Sequence, residues 1–297
     1  MVSPNRTSPF YPNSQMMANR VGIYRRRPSG FNLTLLILPV VLLSVLTGCA
    51  TSRYGRGWGQ DATALPGWKR IGEAARDAAL DPRTWAPTAG AAVFGLTDLD
   101  ENVSDWAWEK TPLFGSCENA NQVGDYLNDA SAACWITTML LAPSGDEIDD
   151  IVTAKLKGAA VEVTAVSTTF GLTEVLKHTT RRERPNEADN RSFPSLHTSS
   201  SFVCSSMACT NLDWFDMNAG LRTTLQCGVT TLAVGTGWAR VECGAHYPSD
   251  VLFGAALGNF LSVFFTKAFL GTEDNYLVSA DFAPTSGGAK LSFNVLF

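Results

Sequence analysis

Three short segments of this chain combine cations and histidines at spacings that could bind and cleave an anionic ester. They begin at Lys177, Pro194 and Arg240, and they hold two of the chain's three histidines. Lys offers a point charge and Arg a planar fork, so together they suit an anion with several oxygens. A neighbouring imidazole can attack the central atom or protonate the departing group. The pattern predicts hydrolysis of phosphate esters through a phosphohistidine.

The segment from Arg240 to Asp250 carries the most specific signal. His246 precedes Asp250 by four residues, so on a helix both side chains would project from one face. A carboxylate on one ring nitrogen fixes the tautomer and leaves the other nitrogen as a nucleophile. Pro248 suits the first turn of such a helix, and Arg240 adds a cation from the end of the preceding helix. A structural His–Asp pair at a helix start would have the same spacing.

The other two segments offer anion-binding groups and a proton donor. Lys177 is expected near the end of a helix, and Pro185 favours an extended conformation for Arg184 in the next loop. Ser195 is expected at the start of a helix, where free N–H groups and the helix dipole bind anions. His197 in the first turn can protonate a leaving oxygen. Taken singly, the cations could be solvated surface charges and the histidine a structural one.

Together, the three segments resemble the type 2 phosphatidic acid phosphatase superfamily. Its pattern is KxxxxxxRP, then PSGH, then SRxxxxxHxxxD, and the resemblance covers roughly residues 120–270. Two positions depart from it, because Leu196 replaces Gly and Ala239 replaces Ser. Leu196 keeps a backbone N–H for phosphate and crowds the pocket, whereas Ala239 removes a possible hydroxyl contact.

The resemblance implies a role for each matching position. His246 would be the nucleophile, Asp250 its partner and His197 the general acid, and the family needs no metal. The implied phosphate-binding set is Lys177, Arg184, Ser195, Leu196 and Arg240. Hydrolysis would then form a phosphohistidine as the alcohol leaves, and water would release phosphate. The fixed cations would stabilise the trigonal-bipyramidal transition state.

The resemblance leaves several functions open. The substrate could be a lipid or isoprenoid phosphate, which the family's many lipid phosphatases favour, or a small soluble ester. Vanadium-dependent haloperoxidases share the fold, although the modest domain size argues against that activity here. A non-catalytic anion-binding module is disfavoured by the two intact histidines. We expect no cofactor, with vanadate acting as an inhibitor or, in the haloperoxidase case, as the cofactor.

The N-terminus has the order of a secretory signal. Arg25–Arg27 precede an apolar run, Leu33–Leu46, and small residues lead to a cysteine. The sequence Leu46-Thr47-Gly48-Cys49 resembles the lipobox of bacterial lipoproteins, whose cysteine carries the lipid, and Ala50 fits the outer-membrane pattern. We therefore predict a signal peptide over residues 1–49 and a protein anchored by lipidated Cys49 in the outer membrane, facing the periplasm. A plain membrane anchor with an incidental cysteine is the alternative.

The charge and the cysteine content argue against nucleic acid and zinc as ligands. Residues 1–49 hold five arginines and no acidic residue, which leaves 18 basic and 28 acidic side chains in the remainder. Such an acidic body is a poor binder of nucleic acid. The six cysteines after Cys49 could form up to three disulfides in an oxidising compartment or remain buried thiols, and we predict at least one disulfide among them. The chain has no CxxC pair, so a zinc site is not expected.

The remaining pattern predicts an all-α bundle with a small C-terminal β-hairpin. Residues 50–67 are interpreted as a flexible tether, 68–270 as the helical phosphatase domain and 271–297 as the hairpin appendage. The longest charge-free stretches fall short of the ~20 apolar residues of a membrane span, so the helices are expected to be buried in a soluble bundle. Helices are expected from Trp68, from Pro82 toward Phe94, and at Leu99–Trp108, Asn121–Leu141, Asp146–Lys177, Ser195–Cys209, Ala219–Ala239 and Pro248–Leu270.

Overall fold

The computed structural model describes residues 56–272, 278–285 and 288–295 of the chain, with side chains for 56–272. The described helices are α1 (Trp68–Leu80), α2 (Pro82–Gly95), α3 (Leu99–Lys110), α4 (Cys117–Leu141), α5 (Ile148–Thr180), α6 (Leu196–Leu212), α7 (Ala219–Glu242) and α8 (Pro248–Phe265), and a π-helical turn, Thr266–Leu270, continues α8. The all-α class predicted for residues 68–270 is confirmed. The predicted signal peptide and Cys49 lie outside the described residues.

Two strands follow the helices. β1 (Val278–Thr285) pairs antiparallel with β2 (Gly288–Val295), with Val278 opposite Val295 and Thr285 opposite Gly288. The side chains of this segment lie outside the described ones. The packing and role of the C-terminal appendage therefore stay predictions.

Polar caps determine where several helices begin. The residue before each of four helices has a side-chain oxygen that accepts a backbone N–H two or three residues further along. Such a cap satisfies one of the N–H groups that a helix start leaves without a partner. The four capping residues are Asp81, Ser116, Ser195 and Asn218. The cap before α4 explains why this helix begins one turn earlier than predicted.

The central helix of the bundle is α6, which packs against α4, α5, α7 and α8. Two glycines let α8 approach it closely. A Cβ on Gly254 would lie 2.9 Å from the Ser195 carbonyl oxygen, and one on Gly258 would lie 2.4 Å from that of Ser199. The approach brings the start of α8 against the start of α6, where the Ser195 N–H donates to the Asp250 carbonyl at 3.2 Å.

Residues 56–63 are part of the bundle, so the tether prediction is wrong for them. Trp58 is fully buried, and its indole N–H donates to Asn211 of α6 at 2.8 Å. Its backbone N–H donates to the Pro143 carbonyl at 2.6 Å. Gly158 of α5 makes room for the indole, because a Cβ there would lie 2.5 Å from the ring. Burying a large aromatic side chain stabilises this segment, although its Gly-, Ala- and Thr-rich composition suggested a linker.

Two helices are long and apolar enough to cross a membrane, judged by length and composition alone. They are Ile148–Thr180, with 33 residues, and Pro248–Leu270, with 23. The expectation of helices buried in a soluble bundle rested on charge-free stretches alone, and both helices extend beyond such stretches. In the most apolar 18 residues of each helix, 22% of the first helix is buried and 56% of the second. α5 thus presents the more exposed apolar face, which includes Leu156, Val163 and Phe170.

Candidate active site

A sharp turn between α7 and α8 positions His246. The backbone N–H groups of Ala245 and His246 both donate to the carbonyl of Arg240, at 3.1 and 3.2 Å. Gly244 adopts a φ of +66°, which side chains with a Cβ rarely tolerate. A Cβ there would also come within 3.3 Å of the Trp108 ring. The turn therefore needs glycine to fold His246 back beside Arg240.

A backbone carbonyl orients the His246 ring. Nδ1 lies 2.6 Å from the Ser192 carbonyl oxygen, and the residue is 2% exposed. Because a carbonyl only accepts, Nδ1 carries the proton and Nε2 keeps its lone pair. Burial is the main cause that lowers the pKa of His246 to about 3, and the charges of Lys177 and Arg240 act in the same direction. His246 is therefore neutral throughout the neutral pH range.

Asp250 supports this arrangement without bonding directly to the ring. Its Oδ2 lies 3.9 Å from His246 Nδ1, which is too long for a hydrogen bond. Oδ2 accepts instead from the Ser192 hydroxyl and, at 2.9 Å, from the Tyr247 N–H. The four-residue spacing predicts that both residues lie on one helix, but His246 precedes α8 and lies in the turn. The expected direct contact is thus replaced by a contact through Ser192.

Arg182 holds Asp250 from the other side, and the sequence analysis assigned it no role. Its Nη1 donates to Asp250 Oδ1 and its Nη2 to Asp100 Oδ2, both at 2.7 Å. Asp100 of α3 in turn accepts the Ser249 N–H at 2.8 Å. The guanidinium carbon lies 4.1 Å from the centre of the Tyr247 ring. In the sequence, Arg182 lies between Lys177 and Arg184, the two cations of the first motif, and this position could have indicated its role. Asp100 lies in no motif.

Lys177 and Arg240 place two buried cations near both histidines. They are 3% and 6% exposed, and their charges lower the pKa of His197 as well as that of His246. Burial, followed by the charge of Arg184, lowers the pKa of Lys177 to about 8. Among the described residues, Arg240 Nε is buried without a hydrogen-bond partner. Like charges and an unsatisfied donor inside a protein are costly, so the cluster is suited to a bound anion.

Arg184 lies beside the same turn but has a carboxylate partner. Its Nε donates to Asp189 Oδ1 at 2.7 Å, and its Nη1 lies 3.5 Å from the Ala245 carbonyl oxygen. Asp189 is partly exposed, so the pair is open to solvent on one side. The charge of Arg184 still acts on Lys177. The structure therefore brings all three predicted cations to one region.

The start of α6 offers fewer backbone donors than predicted. The Ser195 N–H already donates to the Asp250 carbonyl, and the Ser195 hydroxyl oxygen accepts from Thr198 Oγ1 at 2.9 Å. The hydroxyl can still donate its own proton to an anion. Leu196 and His197 contribute the first N–H groups of the helix, which have no acceptor within the helix. Anion binding at this end therefore depends on these two N–H groups and the Ser195 hydroxyl.

His197 contacts a carboxylate that the sequence analysis did not single out. Its Nε2 lies 3.0 Å from Oδ1 of Asp125 on α4, and the same oxygen lies 3.9 Å from Arg240 Nη1. One turn earlier on α4, Asn121 Oδ1 accepts from Arg240 Nη1 at 2.6 Å. Burial and the Arg240 charge lower the pKa of His197 to about 4, and Asp125 opposes them. α4 thus forms a wall of the site, although it contributes no motif.

The cysteines near the site are thiols. Cys204, Cys209 and Cys243 are buried thiols, as the second of the two predicted states has it, and the predicted disulfide is not present among the described residues. Cys117, at the start of α4, donates to the Cys243 carbonyl in the turn before His246 at 3.0 Å. A hydrogen bond from the Cys117 thiol is the main cause that lowers the pKa of Cys243 to about 6.

Comparison with known proteins agrees with the motif pattern. Residues 159–272 match the model of the PAP2 superfamily, and this range contains all three motif segments. This part of the chain belongs to the PAP2 superfamily. Among solved structures, the first transmembrane PAP2 type phosphatidylglycerolphosphate phosphatase from Bacillus subtilis is similar, with 18% identity and a TM-score of 0.46. The similarity covers 62% of this chain and 94% of that one. No curated protein matches the chain.

As a member of this superfamily, the chain is a phosphatase. The structure shows where its two departures from the family pattern, Leu196 for Gly and Ala239 for Ser, are located. Leu196 is half-buried in the first turn of α6. Ala239 is fully buried against α4, 3.2 Å from where a Cβ on Gly124 would lie. This close approach brings α4 against Arg240, so that Asn121 contacts the guanidinium. In this PAP2 domain, α4 supplies polar groups beside the position that lacks the family's serine.

Proposed function

We propose that this PAP2 phosphatase hydrolyses phosphate monoesters or pyrophosphates through a phosphohistidine on His246. The observation that carries the proposal is the state of that ring. His246 is neutral, its Nδ1 proton is bound by the Ser192 carbonyl, and two buried cations lie close to it. A neutral imidazole with its Nε2 lone pair beside an anion-binding cluster is suited to nucleophilic attack on phosphorus.

The reaction has two steps. Nε2 of His246 attacks phosphorus, the P–O ester bond breaks, and His197 gives its proton to the departing oxygen. Water then attacks the phosphohistidine, the P–N bond breaks, and neutral His197 accepts the proton of that water. Lys177, Arg184 and Arg240 stabilise the charge on the equatorial oxygens in both steps. These residues supply the attack, the proton transfers and the charge stabilisation, so we propose that no metal is required.

A substitution series tests this mechanism. His246→Ala should abolish phosphate release, and His178→Ala serves as the matched control because this third histidine is exposed. Wild-type enzyme quenched with denaturant during turnover of a radiolabelled substrate should carry acid-labile phosphate on His246. Substantial activity in His246→Ala would exclude the phosphohistidine mechanism.

We propose that the substrate is a lipid or isoprenoid phosphate. Apolar side chains flank the motif residues: Phe193 packs on Phe253 with ring centres 4.7 Å apart, and Trp238 lies 6.3 Å from Trp106. Leu196 is half-buried in the same region. The exposed apolar face of α5 further supports association with a lipid surface. The proposed location is the periplasmic side of the outer membrane, with lipidated Cys49 as the anchor.

The substrate class is tested by comparing kcat/KM for phosphatidic acid or a prenyl phosphate in micelles with that for a short-chain phosphate. A clear preference for the lipid is expected, because the apolar side chains beside the site stabilise only a substrate whose hydrocarbon chain reaches them. Equal values would mean that the site reads only the phosphate, and a soluble ester would then be the better assignment.

A further inference from the structure

We propose that Asp125 of α4 is a positioning residue for catalysis, which holds His197 toward the departing oxygen and supplies the negative charge opposite it. The inference rests on the proposed function, because it assigns His197 the role of proton donor. Asp125 lies outside residues 159–272 that match the family model, and no motif contains it.

The contact is direct and lies at the mouth of the site. His197 Nε2 and Asp125 Oδ1 are 3.0 Å apart, and each side chain is about one-third exposed, at 34% and 35%. The site's cations are far more buried, with the Arg240 side chain at 8%. The His197–Asp125 pair thus lies between the buried anion cluster and solvent. A leaving group departs on the solvent side of such a cluster, which is where a proton donor is needed.

The rest of α4 fixes Asp125 in this position. Asn121 and Asn128 flank it on the same face of the helix, at spacings of four and three residues. Asn121 accepts from Arg240, while Asn128 Oδ1 accepts from the hydroxyls of Ser200 and Ser201 at 2.6 and 2.8 Å. These bonds join α4 to α7 and α6 on both sides of Asp125. Its carboxylate is therefore placed by a rigid helix face.

The charges around His197 show why a carboxylate is needed. Arg240 from α7 and Lys177 from α5 face the ring and disfavour its protonated form, and burial does so more strongly. Asp125 from α4 is the acidic group that acts against them. A nearby opposite charge favours the charged form of an ionisable group. Without Asp125, fewer molecules would carry the proton that the departing alkoxide requires.

The test compares Asp125→Asn with Asp129→Asn, the same change on an exposed residue one turn further along α4. Two substrates are used, an alkyl phosphate and nitrophenyl phosphate, because a good leaving group needs little protonation. For Asp125→Asn we expect kcat on the alkyl phosphate to fall about 10- to 100-fold. We expect a much smaller loss on nitrophenyl phosphate and an unchanged KM. Asp129→Asn should match the wild type.

Two further measurements separate positioning from a structural role. In a His197→Ala background, Asp125→Asn should cause no additional loss, because the residue acts through His197. Asp125→Glu should recover part of the alkyl phosphate activity, since it restores a carboxylate. Equal losses on both substrates, or additive losses in the double variant, would overturn the proposal.

A rise in kcat/KM for Asp125→Asn would also overturn the proposal, because it would show that the carboxylate only repels the anionic substrate. Failure of the proposed function is recognised separately. Activity that survives His246→Ala would refute the phosphohistidine mechanism, whatever Asp125→Asn does.

Discussion

At the residue scale, the protonation of two histidines determines the chemistry. His246 is buried and neutral, with its proton on Nδ1 and bound to a carbonyl. His197 is less buried, and in the proposed mechanism it carries the proton that the departing oxygen receives. The two rings therefore have opposite requirements, and their surroundings differ accordingly. Only His197 has a carboxylate oxygen within hydrogen-bond distance of a ring nitrogen.

The lowered pKa of His197 predicts an acidic activity profile. Because kcat/KM reports ionisation of the free enzyme and the donor must be protonated, activity should fall as pH rises through the pKa of His197, about 4. His246 adds no limb near neutral pH, since its pKa is lowered to about 3. Initial rates from pH 3 to 8 check this. His197→Ala should lack the limb, and a wild-type plateau extending above pH 7 would contradict the expectation.

Asp250→Asn should cost about 10- to 100-fold in kcat/KM, which is less than the roughly 10⁴-fold loss that follows from a wrong tautomer in a catalytic triad. The Ser192 carbonyl still fixes the Nδ1 proton, so the nucleophile keeps its tautomer. The remaining loss comes from the Ser192 hydroxyl and Arg182, which would both lose a charged partner. Steady-state kinetics measures the loss in kcat/KM, with Asp216→Asn as the control because Asp216 is exposed. A 10⁴-fold loss would mean that Asp250 sets the tautomer after all.

At the element scale, residues of six helices form the site, and most of them lie in the first or last turn of their helix. Lys177 lies in the last turn of α5, His197 in the first turn of α6, and Arg240 in the last turn of α7. α4 and α3 carry no motif, yet each contributes a carboxylate that contacts a motif residue or its neighbour. Hydrogen bonds of Arg182 and Ser192 hold the loop between α5 and α6 against α3 and α8, so a shift of these helices would also move the loop. Ion pairs between elements therefore stabilise both the fold and the site.

Removing the Arg182 guanidinium should destabilise the protein by about 3 kcal/mol, because it leaves two buried carboxylates without their cation. Asp100 and Asp250 are 4% and 0% exposed and both bind Arg182 at 2.7 Å. Chemical denaturation of Arg182→Gln measures the loss. Arg181→Gln is the control, since its side chain is exposed. A midpoint equal to that of the control would show that the two carboxylates find other partners.

At the scale of the whole molecule, the bundle is fixed close to the proposed anchor. Trp58 packs beside Pro143, near the start of α5, so the chain is held from residue 56 onward. Seven residue steps separate Cys49 from Arg56, which reach at most about 25 Å. Lys177 lies at the opposite end of α5, about 44 Å from Ile148 at 1.5 Å per residue. To bring its site to the lipid surface, an anchored bundle would have to lie with α5 along the membrane.

Lipidation of Cys49 is expected to control access to lipid substrates. Protein extracted from membranes should have a diacylated Cys49 as its first residue, which mass spectrometry detects. Cys49→Ser should lower the rate on vesicle-embedded phosphatidic acid and leave the rate on a soluble phosphate unchanged, because tethering raises only the local concentration of the membrane substrate. An unmodified Cys49 with the apolar run still attached would instead indicate a plain anchor.

The sequence by itself determined the motif segments, the all-α class and the approximate helices, because these depend on local chemistry such as caps, apolar periodicity and charged groups at fixed spacing. Only the tertiary structure decided which groups contact the motif residues. The Ser192 carbonyl beside His246 is a main-chain atom that no residue type marks. Asp125 and the Arg182–Asp100 pair join segments far apart in the chain. Burial of Trp58 likewise depends on a space that α5 and α6 create only when packed together.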